Sequence, residues 1–260
     1  MIPLPSGHFD PRRDASQSPG QDLEHSTCYL LAEIMMRKAL TRSTFLVPNF
    51  NSNPAANSAL SLHMRRSCGP SFAPIVIAEL ESQLDTWRDH LPPALSFQDD
   101  RSGLELRNMT RRAQTPTETL SKYFQAQFHA CKMTHQWPAV YEATLPLGDV
   151  ALPSDGTLLA YEKFLNGYFM FTEACLTIGH QPIPHLYTLS CSMFVLSLAV
   201  LEISMAHPLQ APTNLVYGHI SGAVEGILGL MQFSASRSLS VNHFYNILRM
   251  RLEEWRAREK

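Results

Sequence analysis

The clearest pattern in this chain is the recurrence of large apolar residues at helical spacing. Between Pro74 and the Pro92-Pro93 step the apolar side chains are separated by three, four, three and four residues, at Ile77, Leu80, Leu84, Trp87 and Leu91. This spacing lies along one face of an α-helix. Pro74 is favoured in a first helical turn, and the two later prolines end helices. The pattern therefore predicts one amphipathic helix over this segment.

Similar patterns predict six further helices. The first covers about Asp22 to Phe45, with Leu31, Ile34, Met35 and Leu46 as its apolar face. The others cover about 115–137, 158–178, 186–206, 215–232 and 241–260. No alternating strand pattern and no internal repeat is present. We predict an all-α fold: a single multi-helix domain of about seven helices at 22–260, packed around an apolar central helix, after a disordered tail at 1–21.

The predicted central helix comes from the most apolar run of the chain. Leu186 to Leu201 reads LYTLSCSMFVLSLAVL, which is 16 residues without a charge. A membrane-spanning helix needs about 20 such residues, and here His185 and Glu202 close the run while four Ser/Thr side chains interrupt it. A helix that is apolar on nearly all sides is typical of a protein core. We therefore expect a buried central helix and no membrane contact.

The third predicted helix has a specific start signal and carries the most suggestive polar residues. Thr115 can cap it, Pro116 occupies the first position, and Glu118 completes a capping box. Trp137-Pro138 is expected to end it. Between these points a His-x-Cys-x-x-x-His pattern places His129, Cys131 and His135 close together in sequence, as in many metal sites.

Helical geometry argues against a metal site there. At 100° per residue, His129 points away from the stripe that holds Cys131 and His135. The remaining pair provides two ligands where zinc needs three or four, so a site would require a further ligand from elsewhere in the fold. We expect no metal, with Cys131 as a small apolar side chain and His135 as a hydrogen-bonded core histidine.

The glycines of SGAVEGILGL superficially resemble a phosphate-binding loop. Gly222, Gly226 and Gly229 have no predicted strand before them and no Lys-Ser/Thr after them. We therefore interpret all three as sites of close helix packing. The sequence also contains no GxSxG or HExxH motif.

Composition limits the functional classes. Apolar residues make up 45% of the 260 residues, charged residues 17%, and the net charge is −2. This balance is typical of a globular protein and unsuited to gripping a nucleic-acid backbone unaided. The five cysteines form no CxxC pair, which favours reduced thiols in the cytosol or nucleus. The N-terminal stretch MIPLPSGHFDPRRD lacks the apolar core of a signal peptide.

Several segments, taken in order, resemble a known family. The closest match is IAELESQLDTWRDHLPPALSF. Five further segments add to it: LAEIMMRKALTRSTF, LSKYFQAQFHACKMTHQWPAVYEATL, NGYFMFTEACLTIGH, LYTLSCSMFVLSLAVLEIS and SGAVEGILGLMQFSASRSLSVNHF. Together, over about 24–250, they resemble the fungal-specific transcription factor domain, the helical middle homology region of fungal zinc-cluster regulators. Two departures matter. Trp137 stands before the proline where the family usually has a basic residue, and the six-cysteine zinc cluster is missing.

The resemblance implies a regulatory and interaction domain, in the nucleus, tied to a fungal metabolic gene cluster. Its expected partners are proteins of the transcription machinery or a related regulator, with a small apolar effector as a further ligand. Without a zinc cluster we expect no direct DNA binding by this chain, unless an upstream exon encodes the cluster. The matched motifs are helix-packing motifs, so they carry over no catalytic, DNA-binding, metal or cofactor residue.

One alternative belongs to a different class. A helical scaffold can enclose an apolar cavity, and an isomerase or cyclase acting on an apolar secondary metabolite needs little more than such a cavity with a few placed polar groups. His135, Trp137 and Tyr141 are the candidate ligand-pocket residues. We favour the regulator, which is not an enzyme.

Overall fold

The computed structural model describes residues 29–38, 74–97, 113, 115–144, 155–181, 186–206 and 213–258. Over these residues it contains seven helices and no strand, so the predicted all-α single domain is confirmed. Helix α1 covers residues 29–38. The others are α2 (Pro74–Asp89), α3 (Pro116–Thr144), α4 (Asp155–Ile178), α5 (Leu186–Ala206), α6 (Thr213–Ala235) and α7 (Leu239–Arg258). The predicted tail at 1–21 lies outside the described residues.

Local signals in the sequence set several helix ends. The predicted cap of α3 is confirmed, because Thr115 Oγ1 accepts the backbone N–H of Glu118 at 3.1 Å. Helix α4 ends at Gly179, whose φ of 62° is readily adopted only by glycine. Its N–H reaches back to the Cys175 carbonyl at 3.1 Å. These ends depend on contacts within a few residues, which is why they could be predicted.

The antiparallel pair α3 and α4 makes the most extensive contact in the fold. Every residue from 123 to 131 of α3 is buried, so this segment is surrounded on all sides. The two helices come close at Gly167 of α4, where an added Cβ would lie 2.9 Å from Met133 Cγ. The absence of a side chain at Gly167 therefore allows the close approach.

Helix α5 lies against α3, α4, α6 and α7, as expected of a central helix. Three of its serines, Ser190, Ser197 and Ser204, are at most 4% exposed and face the protein. One side is open, since Val195 is 57% exposed. By length and composition, Leu186–Met205 would suffice to cross a membrane, and 44% of that stretch is buried within the protein.

The first helix packs through a different face from the predicted one. Leu31, Ile34 and Met35 are 57%, 40% and 52% exposed. The buried residues are Ala32, Glu33 and Met36. The predicted apolar face was therefore wrong for the part of the helix that the structure describes; Leu46 lies outside it.

Specific contacts select this face of α1. Ala32 is small enough for the Trp87 indole of α2 to donate a hydrogen bond to its backbone carbonyl at 3.3 Å. Glu33 is tolerated in the buried face because its carboxylate pairs with Arg37 at 3.0 Å. Met36 contacts Cys131 of α3.

The end of α3 also differs from the prediction. The helix continues through Trp137-Pro138 to Thr144. Pro138 removes one backbone hydrogen bond and normally breaks a helix. Contacts with the core compensate, since the Trp137 ring lies 6.0 Å from that of Phe164 in α4 and Val140 is fully buried.

Only one of the three glycines in the SGAVEGILGL segment of α6 serves close packing. A Cβ at Gly226 would lie 3.1 Å from a Leu176 methyl group, whereas one at Gly222 or Gly229 would meet nothing within 4 Å. Gly222 and Gly229 are exposed, so the packing interpretation was wrong for these two.

Candidate functional site

The His-x-Cys-x-x-x-His stretch lies inside the core. His129, Cys131 and His135 are 3%, 1% and 2% exposed. The Cys131 thiol faces α1 and donates to Met36 Sδ at 3.3 Å. Burial raises the pKa of this thiol well above its ordinary value, which keeps it protonated and unreactive. Among the described residues, no cluster of three His, Cys, Asp or Glu side chains is arranged to hold a metal ion.

His135 is a neutral imidazole at physiological pH. Burial lowers its pKa from 6.5 to about 4, and the nearby Lys132 ammonium acts in the same direction. An efficient general acid or base needs a pKa close to the working pH. His135 is therefore poorly matched to proton transfer near pH 7 and well matched to a core position.

Two of the three candidate pocket residues, His135 and Trp137, differ in their exposure to solvent. Trp137 is 37% exposed, whereas His135 is buried. Residues two positions apart do not face each other on a helix, so these side chains lie on different sides of α3. The side chain of Tyr141 lies outside the description. A pocket that includes Tyr141 stays a prediction.

A charged seam joins α2 to α3. Lys132 pairs with Asp85 at 3.2 Å and its Nζ lies 4.4 Å above the Phe128 ring. Arg88 approaches the same carboxylate at 3.5 Å. These groups are mostly screened from solvent by their neighbours and orient the two helices. The seam joins residues far apart in the sequence, so no local pattern indicated it.

A second polar contact is buried between α4 and α5. The Tyr168 hydroxyl lies 2.8 Å from Ser197 Oγ, and both residues are fully buried. Burial raises the pKa of Tyr168 far above its ordinary value. The pair links two core helices and offers neither an acid nor a nucleophile at neutral pH.

A shallow cleft opens where α4 ends, α5 begins and α6 passes by. Its floor is apolar and includes the buried Leu189 and Met193. Its rim carries His180 and Phe233, and we call it the Phe233 cleft. Its cavity volume is about 20 Å³, enough for one water molecule. A space of this size is too small to enclose a metabolite or to receive a large side chain.

Only a weak signal in the sequence pointed to this cleft. His180 stands just before a proline-rich stretch of the sequence, and it is exposed in the structure. Phe233 follows the glycine-rich segment of α6, where nothing in the apolar spacing distinguished it from a core residue. Its 40% exposure depends on how α4 and α6 are placed.

Comparison with known proteins gives an informative similarity. The chain is 28% identical over 219 residues to a protein from Aspergillus rugulosus named "Putative transcription factor ecdB". The match covers 84% of this chain and 36% of that protein, so the chain spans about a third of the length of its relative. No protein-family model and no solved structure matches the chain. The similarity places this chain in a distant relationship with a fungal protein named as a transcription factor.

Proposed function

We propose that this chain is a transcription-regulator-like protein that acts through contacts with other proteins. The observation that carries the proposal is the similarity over 84% of the chain to a fungal protein named as a transcription factor. The helical segments that resemble the middle homology region of fungal zinc-cluster regulators point in the same direction.

The chemistry of the core favours this role over catalysis. Among the described residues, three buried side chains with catalytic potential are poorly suited to it at neutral pH, because burial lowers the pKa of His135 to about 4 and raises the pKa values of the Cys131 and Cys175 thiols. The net charge of −2 suits a protein-binding surface better than a DNA-binding one. We therefore assign this chain a regulatory rather than a DNA-reading or catalytic function.

The finer parts of the proposal follow from the resemblance. They are a nuclear location, control of a fungal metabolic gene cluster, partners in the transcription machinery or a related regulator, and a small apolar effector. Direct DNA binding would then depend on another protein or on a further segment.

A tethering experiment tests the proposal. The chain is fused to a heterologous DNA-binding module and expressed in fungal cells that carry a reporter gene with the matching sites. We expect reporter output to change several-fold relative to the module alone. Phe124→Asp, which places a charge in the fully buried core, should abolish the effect.

A gel-shift assay complements this test. The isolated chain should show no sequence-specific binding to short DNA duplexes. Tight, specific binding would contradict a purely protein-mediated role, and a silent tethered chain that is folded would contradict the regulatory role itself.

A further inference from the structure

Helices α5 and α7 run side by side in the same direction. Phe194 of α5 stacks on Phe244 of α7, with the ring centroids 4.7 Å apart and the ring planes 11° apart. Further along both helices, Arg251 of α7 pairs with Glu202 of α5 at 3.3 Å. The two helices therefore keep one register over about two turns, and their outer sides form one continuous surface.

The outer side of this pair repeats the same pattern on both helices. Among the residues that are not buried, five on each helix follow one another at intervals of three, four, three and four. On α5 they are Thr188, Cys191, Val195, Leu198 and Glu202, and on α7 they are Ser240, His243, Ile247, Met250 and Glu254. We call these residues the α5/α7 face. Their spacing is typical of a surface that packs against other helices.

The middle of the α5/α7 face is apolar and open to solvent. Val195 is 57% exposed and Met250 is 50% exposed. Leu198 and Ile247 are partly buried on the same face. Contiguous exposed apolar side chains mark interaction surfaces, whereas single scattered ones need no explanation. The centre of the face is therefore suited to burial against another protein surface.

The two ends of the face differ in charge. At the carboxyl end, Arg251 pairs with both Glu202 and Glu254, at 3.3 and 2.7 Å, so one guanidinium is shared by two carboxylates. At the amino end, the first turns of α5 and α7, both within the described ranges, carry no acidic residue. The amino end of a helix attracts negative charge. The face is therefore complementary to a copy of itself that runs in the opposite direction.

We propose that this chain forms a two-fold symmetric dimer in which the α5/α7 faces of two copies pack antiparallel as a four-helix bundle. Such a contact uses the same patch on both copies, and bundles of this kind bury the apolar positions at their centre. Val195 lies near the two-fold axis, and Glu202 and Glu254 of each copy approach the amino ends of α5 and α7 in the other. A parallel arrangement would instead bring the four glutamates together.

The size of the face fits a weak but specific dimer. The 21 residues of α5 extend over about 30 Å, and two packed helices present a surface about 20 Å wide. Each copy would then bury about 600 Å² and the pair about 1,200 Å², at the lower end of specific interfaces. The exposed apolar side of α1 extends over only about 15 Å of a single helix, which is too small for a stable dimer. The inference goes beyond the proposed regulatory role and does not depend on it.

Sedimentation equilibrium of the purified full chain tests the proposal. The average mass should rise with concentration from that of one chain to that of two, with a Kd of about 1 μM. A chain that stays monomeric up to about 100 μM would overturn the proposal.

A pair of variants locates the interface. Val195→Lys should raise the dimer Kd by about tenfold or more, because symmetry brings the two new ammonium groups together at the axis. The matched control is Leu31→Lys on α1, since Leu31 is also 57% exposed and belongs to a different surface. Leu31→Lys should dimerise like the unmodified chain. Loss of the dimer in Leu31→Lys with an unchanged Val195→Lys would assign the contact to α1 and overturn the proposal.

Cysteine cross-linking tests the antiparallel direction. The background carries Cys28→Ser, Cys68→Ser and Cys191→Ser, which leaves the buried Cys131 and Cys175. With a short bis-maleimide, Val195→Cys should cross-link two copies efficiently. Thr188→Cys should not, because two such residues lie about 20 Å apart when the axis passes Val195. Efficient cross-linking at both positions would indicate parallel packing and contradict the proposed arrangement.

Circular dichroism checks that each variant is folded. Val195 is exposed, so its replacement needs no repacking; if Val195→Lys nevertheless loses its helical signal, Met250→Lys on α7 takes its place with the same expected loss of dimer. Binding of phosphatidylcholine–phosphatidylserine vesicles by a chain that is monomeric in solution, abolished by Val195→Lys, would assign the face to a membrane and overturn the proposal.

Discussion

The close approach of α3 and α4 at Gly167 leads to a prediction with a defined sign. In Gly167→Ala the new Cβ would lie 2.9 Å from Met133 Cγ, a separation that real Cβ atoms do not adopt. The contacted atom lies in the middle of a side chain that is 1% exposed, so Met133 cannot simply swing aside. Either its rotamer or the distance between the helices has to change.

The magnitude follows from two opposing effects. Replacing a helical glycine with alanine stabilises a helix by about 1 kcal/mol. Inserting a methyl group into a filled core costs about 1–3 kcal/mol. Gly167→Ala should therefore range from nearly neutral to a loss of about 2 kcal/mol in unfolding free energy. Gly222→Ala, where nothing lies within 4 Å of the new Cβ, should gain about 1 kcal/mol.

Chemical denaturation followed by helical circular dichroism measures both variants. The two should differ by about 1–3 kcal/mol, and in thermal melts by about 2–4 °C for each kcal/mol in a domain of this size. A double variant sharpens the test: in a Met133→Ala background the clash is absent, and Gly167→Ala should become stabilising. Equal gains from Gly167→Ala and Gly222→Ala in the unmodified background would refute the close packing of α3 on α4.

Two further predictions concern buried polar groups. The pKa of His135 is about 4 in the folded chain and returns to its ordinary 6.5 on unfolding. Because the unfolded chain therefore takes up this proton at a higher pH than the folded chain, the free energy of unfolding should fall by up to about 3 kcal/mol as the pH drops from 6.5 towards 4. His135→Gln should flatten this part of the profile of unfolding free energy against pH, measured with urea, and an unchanged slope would contradict a buried neutral imidazole. Tyr168→Phe should lower the free energy of unfolding by about 1–2 kcal/mol because it leaves the buried Ser197 hydroxyl without its 2.8 Å partner. The double variant Tyr168→Phe, Ser197→Ala should lose less than the sum of the two single variants. Strict additivity in denaturant melts would argue against the pairing.

The successes and failures of the sequence-based predictions have a common physical basis. Helix α2 was predicted with its buried side correct, since Leu80, Leu84, Trp87 and Leu91 are all at most 9% exposed. Leu80, Leu84 and Trp87 are spaced so that they fall on one face of this helix. Helix α1 has apolar residues on both sides, so spacing alone could not select between them, and contacts from Trp87 and Cys131 made the choice.

The end of α3 illustrates the same limit. Proline is a local signal against helix continuation, and its cost of roughly 3 kcal/mol is normally decisive. Here the helix nevertheless continues, with the Trp137 ring against that of Phe164 before the proline and Val140 fully buried after it. The open positions of Gly222 and Gly229 were equally hidden, because a glycine that allows close packing and a glycine that faces solvent look identical in a sequence.

Four features could be derived from the order of residues alone: the all-α class, the approximate helix bounds, the Thr115 cap and the separation of His129 from Cys131 and His135. These features depend on periodicity and on contacts within one helical turn. The folded arrangement was needed to show which side of α1 is buried, that α3 passes through Pro138, and that His180 and Phe233 lie side by side at the end of α4. Such features depend on contacts between residues distant in sequence, whose energies local patterns do not contain.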